Sequence, residues 1–135
     1  MGDDGAALVG RLFDAFNARD VESIAALCSD EMEFVAVTGK EVGRVEPYRG
    51  PDGLHQYLID VETVWEELRV TPSTFEQAGE RLLVVGRVYL RSRELGIRDM
   101  PAGWIWELRE EEFVRGEVFA DPDDARTRFA GLTST

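Results

Sequence analysis

Near Arg69 the apolar pattern of this chain changes its period. Before that point apolar residues recur every three or four positions, and after it they alternate. Such a chain has few ways to bury itself: the strands must form one sheet and the helices must lie on it. Leu8, Val9, Leu12, Phe13 and Phe16 mark one face of a first helix, which halts at Asn17-Ala18-Arg19-Asp20. Asp20 is placed to cap a second helix carrying Val21, Ile24, Leu27 and Cys28. Met32 to Thr38 reads as a strand, and the polar stretch Gly39 to Pro51 as a loop or irregular hairpin. A third helix begins at Asp52 with Leu54, Tyr57, Leu58, Val61, Val64 and Trp65 on its apolar side. Three or four long strands follow, broken at Gly79-Glu80, Gly96 and Glu110-Glu111-Glu112, which predicts an antiparallel meander. Asp121-Pro122 supplies an N-cap and a first-turn proline for a short final helix with Ala125, Phe129 and Leu132. The fold class predicted is α+β.

Length and composition narrow what this plan can serve. With 135 residues, 44% of them hydrophobic and 31% charged, the chain is one domain and too apolar for disorder. Residues 1–5 offer nothing to bury and are read as a disordered terminus, which leaves 6–135 as the domain. The longest apolar run, Ile24 to Cys28, is far short of the roughly 18 to 20 residues that span a bilayer, and Asp3 and Asp4 stand where a basic leader segment would be. A cytoplasmic location is the expectation. One cysteine forms no internal disulfide and one histidine builds no His-rich zinc site. Glu110-Glu111-Glu112 and Asp121-Pro122-Asp123-Asp124 lack the alternating ligands of a calcium loop, and no glycine-rich Lys-Ser/Thr element exists for phosphates. No metal and no cofactor are expected. The net charge of −12 disfavours nucleic acid and anionic membranes as partners.

The order of elements, with Leu12-Phe13-Asp14-Ala15-Phe16-Asn17-Ala18-Arg19-Asp20, Tyr48-Arg49-Gly50-Pro51-Asp52-Gly53-Leu54, Trp104-Ile105-Trp106-Glu107-Leu108 and Val118-Phe119-Ala120-Asp121-Pro122, resembles the nuclear transport factor 2-like superfamily. Within it, the chain is similar to the SnoaL-like branch related to ketosteroid isomerase. The resemblance covers nearly the whole chain. It implies a cone, in which helices pack on the concave face of a bent antiparallel sheet around a pocket, and a convex face that often pairs with a second subunit. Trp104, Trp106 and Leu108 alternate with Ile105 and Glu107, so apolar groups lie on both sides of that strand. With the helices on the Ile105 side, the two tryptophans would be a bare patch of a kind that monomers seldom carry. A homodimer through Trp104, Trp106 and Leu108 is the expectation that follows.

The resemblance also says what chemistry is missing. Ketosteroid isomerase uses an Asp base with a Tyr and a protonated Asp at the oxyanion; the matching positions here are Ala36, Leu12 and Gly103. Limonene epoxide hydrolase, another relative, uses an Arg and two Asp residues; Arg87 matches the Arg, but Tyr89 and Val118 stand at the carboxylates. Ligand contacts are therefore expected from Leu12, Phe16, Phe34, Ala36, Tyr57, Arg87, Tyr89, Ile105 and Val118. Arg87 and Tyr89 share one strand face, and either offer a cation and a phenol to a ligand or are a rim ion pair and a core ring. Glu107, Asp121 and His55 are the candidate catalytic groups. Each has a plainer reading, as a solvated strand end, a helix cap and a surface residue respectively. Cys28 has the neighbours of a core residue, and Tyr57 fits pocket and core equally. The function read from the sequence is a pocket for a small, largely apolar molecule. Its rivals are a cyclase, isomerase or hydrolase acting on a polyketide- or terpenoid-like substrate, and a non-catalytic protein-interaction module.

Overall fold

The computed structural model describes residues 5–35 and 48–133. Its elements run α1 (Gly5–Ala18), α2 (Val21–Leu27), β1 (Cys28–Val35), β2 (Tyr48–Arg49), α3 (Gly50–Val64), β3 (Glu67–Ala78), β4 (Arg81–Ser92), β5 (Gly96–Arg109), β6 (Glu112–Phe119) and α4 (Pro122–Thr133). The strands form one curved, unclosed six-stranded sheet in the order β2-β1-β6-β5-β4-β3. From β3 to β6 each strand pairs antiparallel with the next, as the alternating pattern predicts, while β1 joins β6 in parallel. The α+β reading holds.

The helix boundaries follow from local chemistry. Arg19 takes a left-handed φ of 58° to end α1, and its guanidinium donates to the Phe16 carbonyl at 2.6 Å. Asn17 then clasps β3, accepting from the Val70 N–H and donating to the Val70 carbonyl, both at 2.9 Å, so α1 is fixed against the sheet by a paired amide contact. Asp20 caps α2 through the Ser23 N–H and hydroxyl. Hydrogen bonds to Ser23 hold the Asp20 carboxyl below the usual aspartate range.

Several boundaries differ from the sequence reading. β1 starts at Cys28, four residues before Met32, because a β-conformation at Cys28 ends α2 at once. Its expected continuation through Thr38, and the loop residues 39–47, lie outside the described residues. Tyr48 and Arg49 pair with Phe34 and Glu33, and α3 begins at Gly50 with Pro51 in its first turn, two residues before Asp52. Gly5, assigned from sequence to a disordered terminus, is already helical and buried, with its N–H donating to Gln77 Oε1 at 3.3 Å.

The sheet divides the core into two. On its inner side α1, α2 and α3 bury Leu8, Leu12, Ile24, Leu54, Leu58 and Val61 against Leu82, Val84, Trp104, Trp106 and Phe113. On its outer side α4 places Ala125 and Phe129 on Leu83 and Ile105. This assigns the faces of β5 opposite to the sequence reading. The three N-terminal helices cover the tryptophans, and α4 covers Ile105. Trp104, Trp106 and Leu108 are 3%, 0% and 8% exposed within a single chain, so they form no patch for a second subunit. The sequence reading gave the final helix an apolar side but no partner for it, and an amphipathic C-terminal helix needs a sheet face of its own.

Candidate functional site

Eight aromatic residues meet on the inner side of the sheet, and the pairing register explains how. One row crosses five strands: Tyr48 on β2, Phe34 on β1, Gly116 on β6, Trp106 on β5 and Leu82 on β4. Gly116 has no side chain, so the rings of Phe34 and Trp106, two strands apart, lean over it and stack with centroids 5.7 Å apart and planes 12° from parallel. A Cβ on Gly116 would run into the six-membered ring of Trp106. Tyr57 from α3 stands edge-on to Phe34 at 5.0 Å and to Tyr48 at 5.3 Å, and Phe16 from α1 lies 6.2 Å from Tyr57. Phe13 closes the other side at 4.9 Å from Trp104 and 6.1 Å from Trp106, and Phe113 is edge-on to Trp106 at 5.2 Å. Offset and edge-to-face pairs of this kind are the favoured aromatic geometry.

Two polar features touch this cluster. The buried Tyr48 hydroxyl donates to Asp60 Oδ2 at 2.8 Å, while Gln56 donates to Oδ1 at 2.7 Å. Both oxygens of the Asp60 carboxylate thus accept hydrogen bonds, which ties β2 to α3. The second feature is the Trp106 indole nitrogen Nε1, buried with no hydrogen-bond partner among the described residues. At the cluster's edge, burial pushes the Cys28 thiol up to about 12, with Glu112 adding to it, so this cysteine is a core residue and not a nucleophile.

The residues singled out from sequence divide between the two faces. Leu12, Phe16, Phe34 and Tyr57 come together in the inner cluster, and Val118 packs beside it opposite Trp104. Ala36 lies outside the described residues. Arg87, Tyr89 and Ile105 do not belong with them. Along β4 the inward positions are Leu82, Val84, Val88 and Leu90, which turns Arg87 and Tyr89 to the outer face. There the exposed Arg87 pairs with Asp99 at 2.8 Å and also donates to the Asp99 carbonyl. Glu107 shares that outer face, half-buried, with Arg81 at 3.7 Å and Arg109 at 3.4 Å. It helps line a cleft of about 230 Å³ with Arg115, Arg128, Ile105 and Leu132. Asp121 caps α4, accepting the Asp123 N–H at 2.9 Å, and is exposed. His55 is exposed on α3. None of the three candidate catalytic groups reaches the aromatic cluster. Sequence reasoning missed Asp60 and assigned Trp104 and Trp106 to the wrong face; Gly116, a lone glycine in the middle of a strand, was the available signal. Among the described residues no group of three or more His, Cys, Asp or Glu is placed to hold a metal, and no helix is long and apolar enough to cross a membrane.

The SnoaL-like domain model matches residues 9–116, most of the chain. The protein belongs to the SnoaL-like domain family. No curated protein matches its sequence. Among solved structures, TerC co-crystallised with polyporic acid superposes with a TM-score of 0.78 at 22% identity, over 96% of this chain and 98% of TerC. An NTF2-like protein of unknown function from Burkholderia pseudomallei gives 0.79 at 18% identity, over 99% of this chain and 100% of that one. A proposed polyketide cyclase from Pseudomonas putida gives 0.72 at 19% identity, over 91% and 96%. At these identities the likeness is one of fold, and 350 solved chains match, so the SnoaL-like fold alone selects no activity.

Proposed function

We propose that this SnoaL-like protein binds a small aromatic molecule on the inner side of its sheet, among Phe16, Phe34, Tyr57 and Trp106. The observation that carries the proposal is the ring cluster itself. Aliphatic residues would fill the same space with less demand on geometry, whereas rings from α1, α3, β1 and β5 converge at spacings that a planar ligand reproduces. TerC, which shares the fold nearly end to end, was crystallised with polyporic acid, and this supports an organic ligand in the same class of fold. Binding is favoured over catalysis because Glu107, Asp121 and His55 stand away from the rings and both oxygens of Asp60 are engaged by Tyr48 and Gln56. Entry requires Phe16 and Tyr57 to swing aside, at a cost of about 0.5–1.5 kcal/mol for each ring pair parted.

A cytoplasmic, homodimeric protein is part of the same reading. The single thiol needs no oxidising compartment. Ile97 is 65% exposed on the stretch of sheet beside Tyr89 that α4 leaves open, and it replaces the tryptophan face as the surface for a second copy. The test of binding is thermal shift with fused-ring aromatic ketones and hydrocarbons against aliphatic compounds of equal size. The aromatic set should raise the melting temperature, since a ligand at 100 times its Kd adds about 2.7 kcal/mol. No shift with any aromatic compound at saturating concentration would contradict the proposal.

A further inference from the structure

The outer face of the sheet carries a row of charges that the pairing register sets in line: Arg49 on β2, Glu33 on β1, Arg115 on β6, Glu107 on β5 and Arg81 on β4. The signs alternate from strand to strand, as cross-strand pairing favours. Three of the four rungs are ion contacts, Arg49–Glu33 at 3.1 Å, Arg115–Glu33 at 3.5 Å and Arg81–Glu107 at 3.7 Å. The fourth is open. Arg115 stands opposite Glu107 in the register, yet its guanidinium turns to Glu33 and Glu117, while Glu107 turns to Arg81 and Arg109. Both residues of this open rung line the outer cleft of about 230 Å³, together with Arg81, Ile105 and, from α4, Arg128 and Leu132. The docking of α4 on Leu83 and Ile105 is what brings Arg128 and Leu132 to it.

We propose that this cleft binds a small organic monocarboxylate, whose charge is held by Arg81, Arg115 and Arg128 and whose apolar body lies against Leu132 and Ile105. Three guanidiniums and one carboxylate line the cleft, so it is locally positive in a chain of net charge −12. Its donors are underused. A guanidinium carries five N–H donors and is always charged, but among the described residues Arg128 has one contact, to Glu117 at 4.0 Å, and no hydrogen bond. Arg81 has the long Glu107 contact and one hydrogen bond, to the Leu132 carbonyl at 3.5 Å. Glu107 is met from outside the cleft by Arg109 at 3.4 Å, which offsets the one negative charge in the lining. The planar fork of arginine matches a carboxylate in two-point contact. A phosphate dianion fits less well, because it leaves Leu132 and Ile105 uncovered and sets a second negative charge near Glu107. The volume falls below the roughly 300 to 1,000 Å³ of sites for drug-sized ligands, so the acid is compact. The cleft lies across the sheet from the aromatic cluster, and the proposal does not rest on the aromatic-ligand reading.

The experiment titrates isovalerate, its neutral amide and inorganic phosphate, at constant ionic strength, into protein labelled at leucine and isoleucine methyl groups and at arginine Nε. Isovalerate should shift the Ile105 and Leu132 methyl signals and the Arg81 and Arg128 Nε signals saturably, and the amide should leave them in place. Arg128→Gln should weaken isovalerate binding by roughly tenfold, the usual order for losing a hydrogen bond to a charged group. It should leave the melting temperature unchanged, since Arg128 is exposed and has only its one long contact. Arg87→Gln is the control for general charge, because Arg87 lies on the same face, pairs with Asp99 and is outside the cleft; it should leave isovalerate binding unchanged. The wild-type comparison of acid and amide decides the matter even if a variant does not fold. Equal shifts from acid and amide overturn the proposal, as does equal weakening by Arg128→Gln and Arg87→Gln. Phosphate that moves the same signals with equal or higher affinity shows a general attraction of anions and overturns the carboxylate assignment. Absence of any saturable shift at Ile105 and Leu132 overturns the site altogether.

Discussion

At the scale of single residues, Gly116 decides what the inner face can hold. It is the gap over which Phe34 and Trp106 stack, and a methyl group there has no space beside the Trp106 ring. Gly116→Ala should therefore cost about 1–3 kcal/mol in urea unfolding, the usual range for overpacking a filled core, and should red-shift or broaden the tryptophan emission. An unchanged midpoint and spectrum would mean that the stack is not packed as described. Cys28 makes a prediction about alkaline pH. Its thiol ordinarily ionises at 9.0 and in the fold is pushed up to about 12, so above pH 9 the unfolded chain releases a proton that the native chain retains. Stability then falls as pH rises, by up to about 1.4 kcal/mol per unit from this group, and the stabilisation is fully present below pH 9. Cys28→Ala should show a flatter alkaline limb than the wild type in denaturation between pH 8 and 10.5; parallel limbs would contradict the burial of the thiol. The burial of Cys28 was legible in its apolar neighbours Ile24 and Leu27. The role of Gly116 was not, because a strand glycine is the same letter whether it faces a ring, a helix or water.

The elements were more legible than their faces. Apart from β2, which lies in the stretch read as a loop or irregular hairpin, the helices and strands from Leu8 to Leu132 follow from apolar period, caps and polar or glycine breaks, because those signals act within a few residues of chain. Which face of β5 meets which helices is set by long-range packing, and the alternation of Trp104 and Trp106 with Ile105 is symmetric with respect to that choice. The deciding element is α4. Its Ala125 and Phe129 need an apolar partner, and Leu83 with Ile105 supplies it. That docking leaves the tryptophans to α1, reverses the expected positions of Arg87 and Tyr89, and removes Ile105 from the aromatic cluster. Phe129→Ala should accordingly destabilise the fold by about 3–5 kcal/mol and raise amide exchange across α4 before it does so in α1. Uniform exchange changes, or a loss below about 0.5 kcal/mol, would show that α4 is not seated on the sheet.

For the molecule as a whole, the sheet works as a partition with different chemistry on each side. The inner side holds the aromatic cluster under three helices. The outer side carries α4 and a surface of paired charges that includes Arg87–Asp99 and Arg81–Glu107. The family and the α+β plan were readable because they depend on element order; membership of the inner cluster was half readable because Leu12, Phe16, Phe34 and Tyr57 lie on elements with one apolar face turned inward, whereas Arg87, Tyr89 and Ile105 lie on strands buried from both sides. The proposed function follows this partition: it puts a small aromatic ligand on the inner side, apart from the charged outer clefts. Methyl labelling of leucine and isoleucine tests this directly, because Leu12, Leu54 and Leu58 report the inner side while Leu83, Ile105 and Leu132 report the outer. Titration with 2-acetylnaphthalene should shift the first three signals saturably and leave the second three in place. Saturable shifts confined to Leu83, Ile105 and Leu132 would put the ligand under α4 and contradict the account.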